Sequence, residues 1–109
     1  MTTLPAYPNN IGRRRRFIAI DGKHVWRRVV DEIAIPQRKR RGSHTKLIYL
    51  QKLLLEEHNQ IQYRFTYYML GLNGRTAGRW VFGQYSLVIP PHELKRLLSE
   101  AKKKGWRGF

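Results

Sequence analysis

The stretch His44-Thr45-Lys46-Leu47-Ile48-Tyr49-Leu50-Gln51-Lys52-Leu53-Leu54-Leu55-Glu56-Glu57-His58-Asn59 decides the fold. Ser43, just before it, suits a helix N-cap, because its hydroxyl can accept an otherwise unpaired N–H of the first turn. At about 100° per residue, Leu47, Ile48, Leu50, Leu54 and Leu55 cover one broad arc, and Tyr49, Lys52 and Glu56 lie opposite. This spacing predicts an amphipathic helix over 44–59 lying on a core. Gln51 and His58 fall inside the apolar arc. Each then needs a partner or a place at the rim, since an unmade buried hydrogen bond costs about 1–3 kcal/mol.

Downstream, Ile61 to Leu70 alternates with period two and is rich in aromatic and β-branched residues, which predicts a strand. Gly71 to Gly78 holds three glycines and an Asn73-Gly74 pair, so it reads as a loop. Arg79 to Val88 is the expected return strand of a long hairpin over 61–88. Pro90-Pro91 stops it and suits the first turn of a helix. Leu94, Leu97, Leu98 and Ala101 line one face of that helix, expected over 91–104. Lys102, Lys103 and Lys104 complement its dipole, and Gly105 fits the left-handed cap with Trp106 folding back.

Upstream, 37–42 is a basic linker. The segment 24–34 has two readings. Asp21-Gly22 between β-favouring runs signals a hairpin. Yet Trp26, Val29, Val30 and Ile33 fall at i, i+3, i+4 and i+7, one face of a helix. The spacing leans slightly to the helix. Residues 1–16 read as a flexible basic arm, and 17–109 as a single domain. The expected fold is α+β: a small antiparallel sheet built on the 61–88 hairpin, packed by helices over 44–59 and 91–104. Helix–hairpin–helix order resembles in part the double-stranded-RNA-binding domain, but no third strand fits between 88 and 92, and the sequence assigns no family.

Charge limits the partner class. The chain has 22 Lys and Arg against 7 Asp and Glu, a formal net charge of +15 over 109 residues. Such a body repels itself and concentrates polyanions around it. Two runs carry much of the charge, Arg13-Arg14-Arg15-Arg16 and Arg38-Lys39-Arg40-Arg41. The hairpin adds Arg64, Arg75 and Arg79 beside aromatics and glycines. If Leu70 pairs with Arg79, one hairpin face presents Ile61, Tyr63, Phe65, Tyr67, Met69, Trp80 and Phe82 to the core. The other carries Arg64, Tyr68, Arg79, Val81 and Tyr85, able to stack bases and neutralise phosphates. A slip of one residue inverts one strand's faces relative to the other.

The other function classes fit poorly. There is no Cys, and four His without close spacing give no zinc site. No Ser or Thr sits in a nucleophile elbow. Glu93-Leu94-Lys95 has the form of a nuclease triplet, but it opens a helix, whereas that chemistry needs it on a strand near another acid. Asp21 with His24, and Glu56, Glu57 and His58, read as turn and surface residues. No apolar run approaches the ~18 residues of a membrane span. The start, MTTLPAYPNN, lacks secretory character, which favours the cytoplasm or nucleoid. The sequence thus predicts a non-enzymatic binder of DNA or RNA with no cofactor and no metal. The nucleic-acid-binding residues expected are Arg13–Arg16, Arg38, Lys39, Arg40, Arg41, Arg64, Tyr68, Arg75, Arg79 and Tyr85. A basic subunit of a larger nucleoprotein assembly, with a protein partner, is the alternative, and a minimal metal-dependent nuclease the third reading.

Overall fold

A computed structural model of the chain describes residues 4–37 and 45–109. Five strands run β1 (Arg14–Ile18), β2 (His24–Pro36), β3 (Lys46–Leu55), β4 (Gln60–Leu70) and β5 (Trp80–Phe82), followed by helix α1 (Pro91–Lys103). The strands pair in chain order as one antiparallel sheet. The expected hairpin packed by two helices is therefore replaced by a five-stranded meander carrying one helix.

The correction begins at 44–59. Residues 46–55 are the central strand β3, and only Glu56–His58 make a single 3-10 turn, ended by Asn59 in the left-handed region (φ 48°). The helical arc misled because β3 is covered on both faces. Ile48 and Leu50 face one way; Leu47, Tyr49, Gln51 and Leu53 face the other, and all six are buried. A strand buried on both sides shows a nearly continuous apolar run, which periodicity does not separate from a buried helix. Ser43, the expected cap, and most of the 37–42 linker lie outside the described residues.

The segment 24–34 is also strand, within β2, hairpinned to β1 through Ala19–Gly22. There Gly22 takes φ +83° and donates its N–H to the Ala19 carbonyl at 2.9 Å. Its helical spacing has a specific source. Pairing to β3 shifts between Val29 (opposite Leu53) and Asp31 (opposite Lys52), leaving Val30 as a bulge. The extra residue switches alternation, so Arg27 and Val29 share a face with Glu32 and Ala34. An interrupted period of two imitates a helical period over this short length.

The basic arm is likewise corrected. Arg14 to Ile18 form edge strand β1, paired with His24 to Arg28. Residues before it cross the sheet as a strap. The Tyr49 hydroxyl donates to the Pro8 carbonyl at 2.6 Å, and Trp80 Nε1 donates to Pro5 at 3.2 Å. Tyr7 meets Trp80 edge-on with centroids 6.1 Å apart. Gly12, at φ +91°, turns the strap into β1.

Two cores result. On one face, Ile33, Ile35, Ile48 and Leu50 pack against Leu97 and Ala101 of α1 and against Trp106. On the other, Leu47, Tyr49 and Tyr68 pack with Ala34 and Trp80 under the strap. The helix ends as its sequence dictates. Gly105 takes φ +78°, and the Trp106 N–H reaches the Ala101 carbonyl at 3.1 Å. Asp31, beside the bulge, accepts from Lys104 Nζ and Trp106 Nε1, both at 3.1 Å. Burial raises the Asp31 carboxyl pKa, but the bonds from Lys104, the Glu32 N–H and Trp106 outweigh it and hold it below its ordinary value.

Two tests follow from this packing. A helix over 44–59 would place Tyr49 on the surface, whereas here it is fully buried. Tyr49→Ala is expected to cost about 3 kcal/mol or more in urea denaturation; a near-neutral result would return the segment to a surface position. Because the folded pKa of Asp31 is depressed, the unfolded chain binds more protons as pH falls through its carboxyl range. Its contribution is thus complete above the unfolded value and lost below about pH 4. Asp31→Asn should shallow that acid limb of the stability profile, measured as Tm against pH.

Candidate functional site

On the face away from α1, antiparallel register brings together side chains distant in sequence. Arg15 pairs with Arg27, Arg27 with Leu55, Gln51 with Arg64, and Tyr68 with Phe82. All of these but Leu55 line one cavity of about 180 Å³, together with Arg13, Arg16, Phe17 and Asn10. Flat strands about 4.8 Å apart would spread β1 and β5 over roughly 19 Å. Phe17 of β1 and Phe82 of β5 nevertheless line the same cavity, so the sheet is curled and this face is its concave side.

Four arginines reach this concavity: Arg13, Arg15, Arg27 and Arg64; Arg16 borders it, but its pairing with Trp26 puts its side chain on the same face as Arg14. No carboxylate lines it, and among the described residues none of the four is in an ion pair. Arg64 sits deepest, half-buried on β4. Its Nε and one terminal nitrogen donate to Gln51 Oε1 at 3.0 and 2.7 Å. Gln51 Nε2 in turn donates to Glu32 Oε1 at 3.0 Å. The Asn10 backbone N–H and side-chain amide both donate to the Glu32 carboxylate, at 2.7 and 3.2 Å. The Tyr68 hydroxyl donates to Asn10 Oδ1 at 3.0 Å. One connected network thus runs from the strap through β2 and β3 to β4, and it satisfies Gln51 and Asn10, which are buried.

This network fixes Arg64 without neutralising the site. Burial, reinforced by the nearby charges of Arg15 and Arg27, pulls the Arg64 pKa below its ordinary value. An arginine stays protonated in proteins, so the shift marks a charge that is first partly desolvated and then repelled by its neighbours. Burial and then the Glu32 carboxylate push the Tyr49 phenol pKa upward. Arg27 is held by donating to Gln62 Oε1 at 3.0 Å and by stacking over Phe17 at 3.8 Å. Preorganised cations around a concave floor offer a seat to an anion.

No family model, curated protein or solved structure matches this chain. The site must therefore be read from its own chemistry.

The sequence-derived candidates divide accordingly. Arg13, Arg15, Arg64 and Tyr68 come together at the concavity, and Arg16 only borders it. Arg14 does not: it ion-pairs with Glu56 and lies over the Trp26 ring at 4.0 Å. Arg75 sits in a 3-10 turn (Gly74–Thr76) after β4, and Arg79 precedes β5; both are exposed. Tyr85 is exposed beyond β5, its N–H donating to the Tyr67 hydroxyl at 3.2 Å. Arg38, Lys39, Arg40 and Arg41 lie outside the described residues. The hairpin register differs by one residue from the expected one, with Leu70 opposite Trp80. Trp80 and Phe82 therefore join Tyr68, and Val81 joins Met69 on the other face. Arg27, Phe17 and Phe82 were not expected at the site from sequence, and Gln51 stood out only as a polar residue in need of a partner. Reading Asp21-Gly22 as a two-residue hairpin turn sets Arg28 opposite Arg15; the turn holds three residues, Ile20 to Gly22, and that one-residue difference brings Arg27 there instead. Among nuclease candidates, Glu93 is buried in the first turn of α1 and Asp21 lies in the β1–β2 turn. No group of three metal-ligating side chains forms among the described residues.

Unrelieved positive charge predicts stabilisation by simple anions. Inorganic phosphate at ten times its Kd contributes about 1.4 kcal/mol by mass action. That should raise Tm by several degrees above a chloride control of equal ionic strength. Arg15→Gln combined with Arg27→Gln should remove most of the difference. Equal effects of phosphate and chloride would mean that the arginines form no anion seat.

Proposed function

We propose that this chain is a small non-enzymatic nucleic-acid-binding protein, acting in the cytoplasm or nucleoid, that grips its ligand mainly through backbone phosphates. One observation carries this reading: four arginines converge on one concave sheet face that no carboxylate lines. Phosphate contacts position a protein on a nucleic acid and carry no base information. A charge-dominated site of this kind gives affinity before specificity. Aromatic rings share the face, with Phe82 partly exposed and Tyr68 beneath it, so base stacking adds to the charge term.

A second reading, a basic subunit of a nucleoprotein assembly, draws on a different surface. Leu94, Leu98 and Phe109 line an apolar depression along α1, bordered by Lys95 and Lys102. That surface lies across the sheet from the concave face and leaves the arginines open. Of the described residues, no helix is long and apolar enough to cross a membrane.

Counterion release supplies the test. Fluorescence anisotropy with labelled DNA and RNA, run from 50 to 200 mM salt, should give a steep linear fall of log affinity against log salt. For four neutralised phosphates on a single strand the slope is about −3. Arg13→Gln with Arg15→Gln should make it shallower by about 1.4, since each lost contact removes about 0.7. A flat salt dependence, or no binding at low salt, would reject a nucleic-acid-binding role.

A further inference from the structure

Resting on that reading, the shape of the concavity narrows the ligand. We propose that the concave face takes a single strand in preference to a duplex, seating one backbone phosphate on Arg64 and Arg15 and stacking the adjoining base on Phe82.

Depth comes first. Arg64 projects from β4 on the floor of the curl, and Phe17 of β1 and Phe82 of β5 close in from either edge. Gln51 takes two of its five N–H donors, leaving three that Gln51 does not use. A phosphate that meets Arg64 must enter between the sheet edges. A duplex is a stiff, convex rod whose paired strands have to follow any phosphate it presents. A cavity of about 180 Å³ has no room for that second strand. A single strand bends at each nucleotide and can lower one phosphodiester to the floor.

The aromatic partner is specific as well. The Phe17 ring is already covered by Arg27, and the Tyr68 hydroxyl is tied to Asn10. Phe82 is different. Its ring is braced edge-to-face by Tyr68, with centroids 5.5 Å apart and planes at 85°, yet the residue remains 47% exposed. Among the described residues no cation lies over it. An apolar ring held rigid and left open beside arginines is a stacking platform, and such platforms accept any base. A phosphate site with an adjacent platform fits a nucleotide unit whose base is unpaired, because a paired base hides its faces in the stack.

The experiment compares a labelled 12-nucleotide single strand with a blunt hairpin duplex of the same sequence at one low salt concentration. The single strand should bind at least tenfold tighter. Phe82→Ala should weaken the single strand by five- to 150-fold, the range of one lost base–aromatic stack. Phe82→Trp should retain near-wild-type affinity, which separates lost stacking from lost folding. A strand with abasic positions should bind wild type and Phe82→Ala alike. Equal or tighter duplex binding overturns the proposal, as does an unchanged Phe82→Ala variant or a weakened Phe82→Trp. Binding with the steep salt slope but no strand preference defeats this inference alone. Absence of binding to any nucleic acid at low salt defeats the underlying function as well.

Discussion

The Glu32 carboxylate is the point on which the concave face depends. It accepts from the strap through Asn10 and from β3 through Gln51, and Gln51 then positions Arg64 on β4. Four segments meet at one negative charge. Without it, Gln51 would lose the acceptor for its amide and Asn10 two bonds, in a region where unmade buried hydrogen bonds are costly. The arrangement also separates two tasks. Hydrogen bonds link Glu32 to Arg64 only by way of the neutral Gln51 amide, so the guanidinium is oriented with no carboxylate bonded to it. A direct carboxylate contact would hold Arg64 as firmly and cancel the charge that an anion needs.

The bulge at Val30 makes that possible. In a regular β2, Glu32 and Arg27 would point to opposite faces, because they are an odd number of residues apart. One inserted residue restores them to the same side and sends Asp31 to the other. Asp31 there secures the end of α1 through Lys104 and Trp106, while Glu32 anchors the concave floor. Two adjacent acids thus serve opposite faces of the sheet. Neither of them lines the arginine cavity.

What the sequence revealed followed from how each element buries its residues. Helix α1 has one face on the sheet and one in water, so its period, its N-terminal prolines and Gly105 were all legible. The alternation over 61–70 was also legible, because β4 has one apolar face and one polar one. Strand β3 was not, since helix and strap cover opposite sides of it and erase the contrast a period needs. β2 failed for the bulge. The hairpin register failed because nothing in the Gly71–Gly78 loop fixes whether Arg79 or Trp80 faces Leu70. The charge identified a class of partner, but the site itself was only half visible. Arg13, Arg15, Arg16 and Arg64 drew notice through density or neighbours. Arg27 and Phe82 gain meaning only from pairing across strands.

Placing an arginine run on a strand rather than in an arm changes its physics. In a solvated tail all four side chains would behave alike. In β1, alternation sorts them. Arg14 is neutralised by Glu56 and laid over Trp26, and becomes part of the structure. Arg15 faces Arg27 across the pair, and its charge stays uncompensated within reach of Arg64. Like charges opposed on neighbouring strands destabilise a sheet. Here the chain carries that repulsion at the one face where the strap stops short of covering the sheet. The local cost is offset by the two cores and by the Glu32 network, and what it leaves is a rigid, positively charged concavity. A site assembled in this way needs no rearrangement to meet an anion, because the folding of the sheet has already brought its charges together.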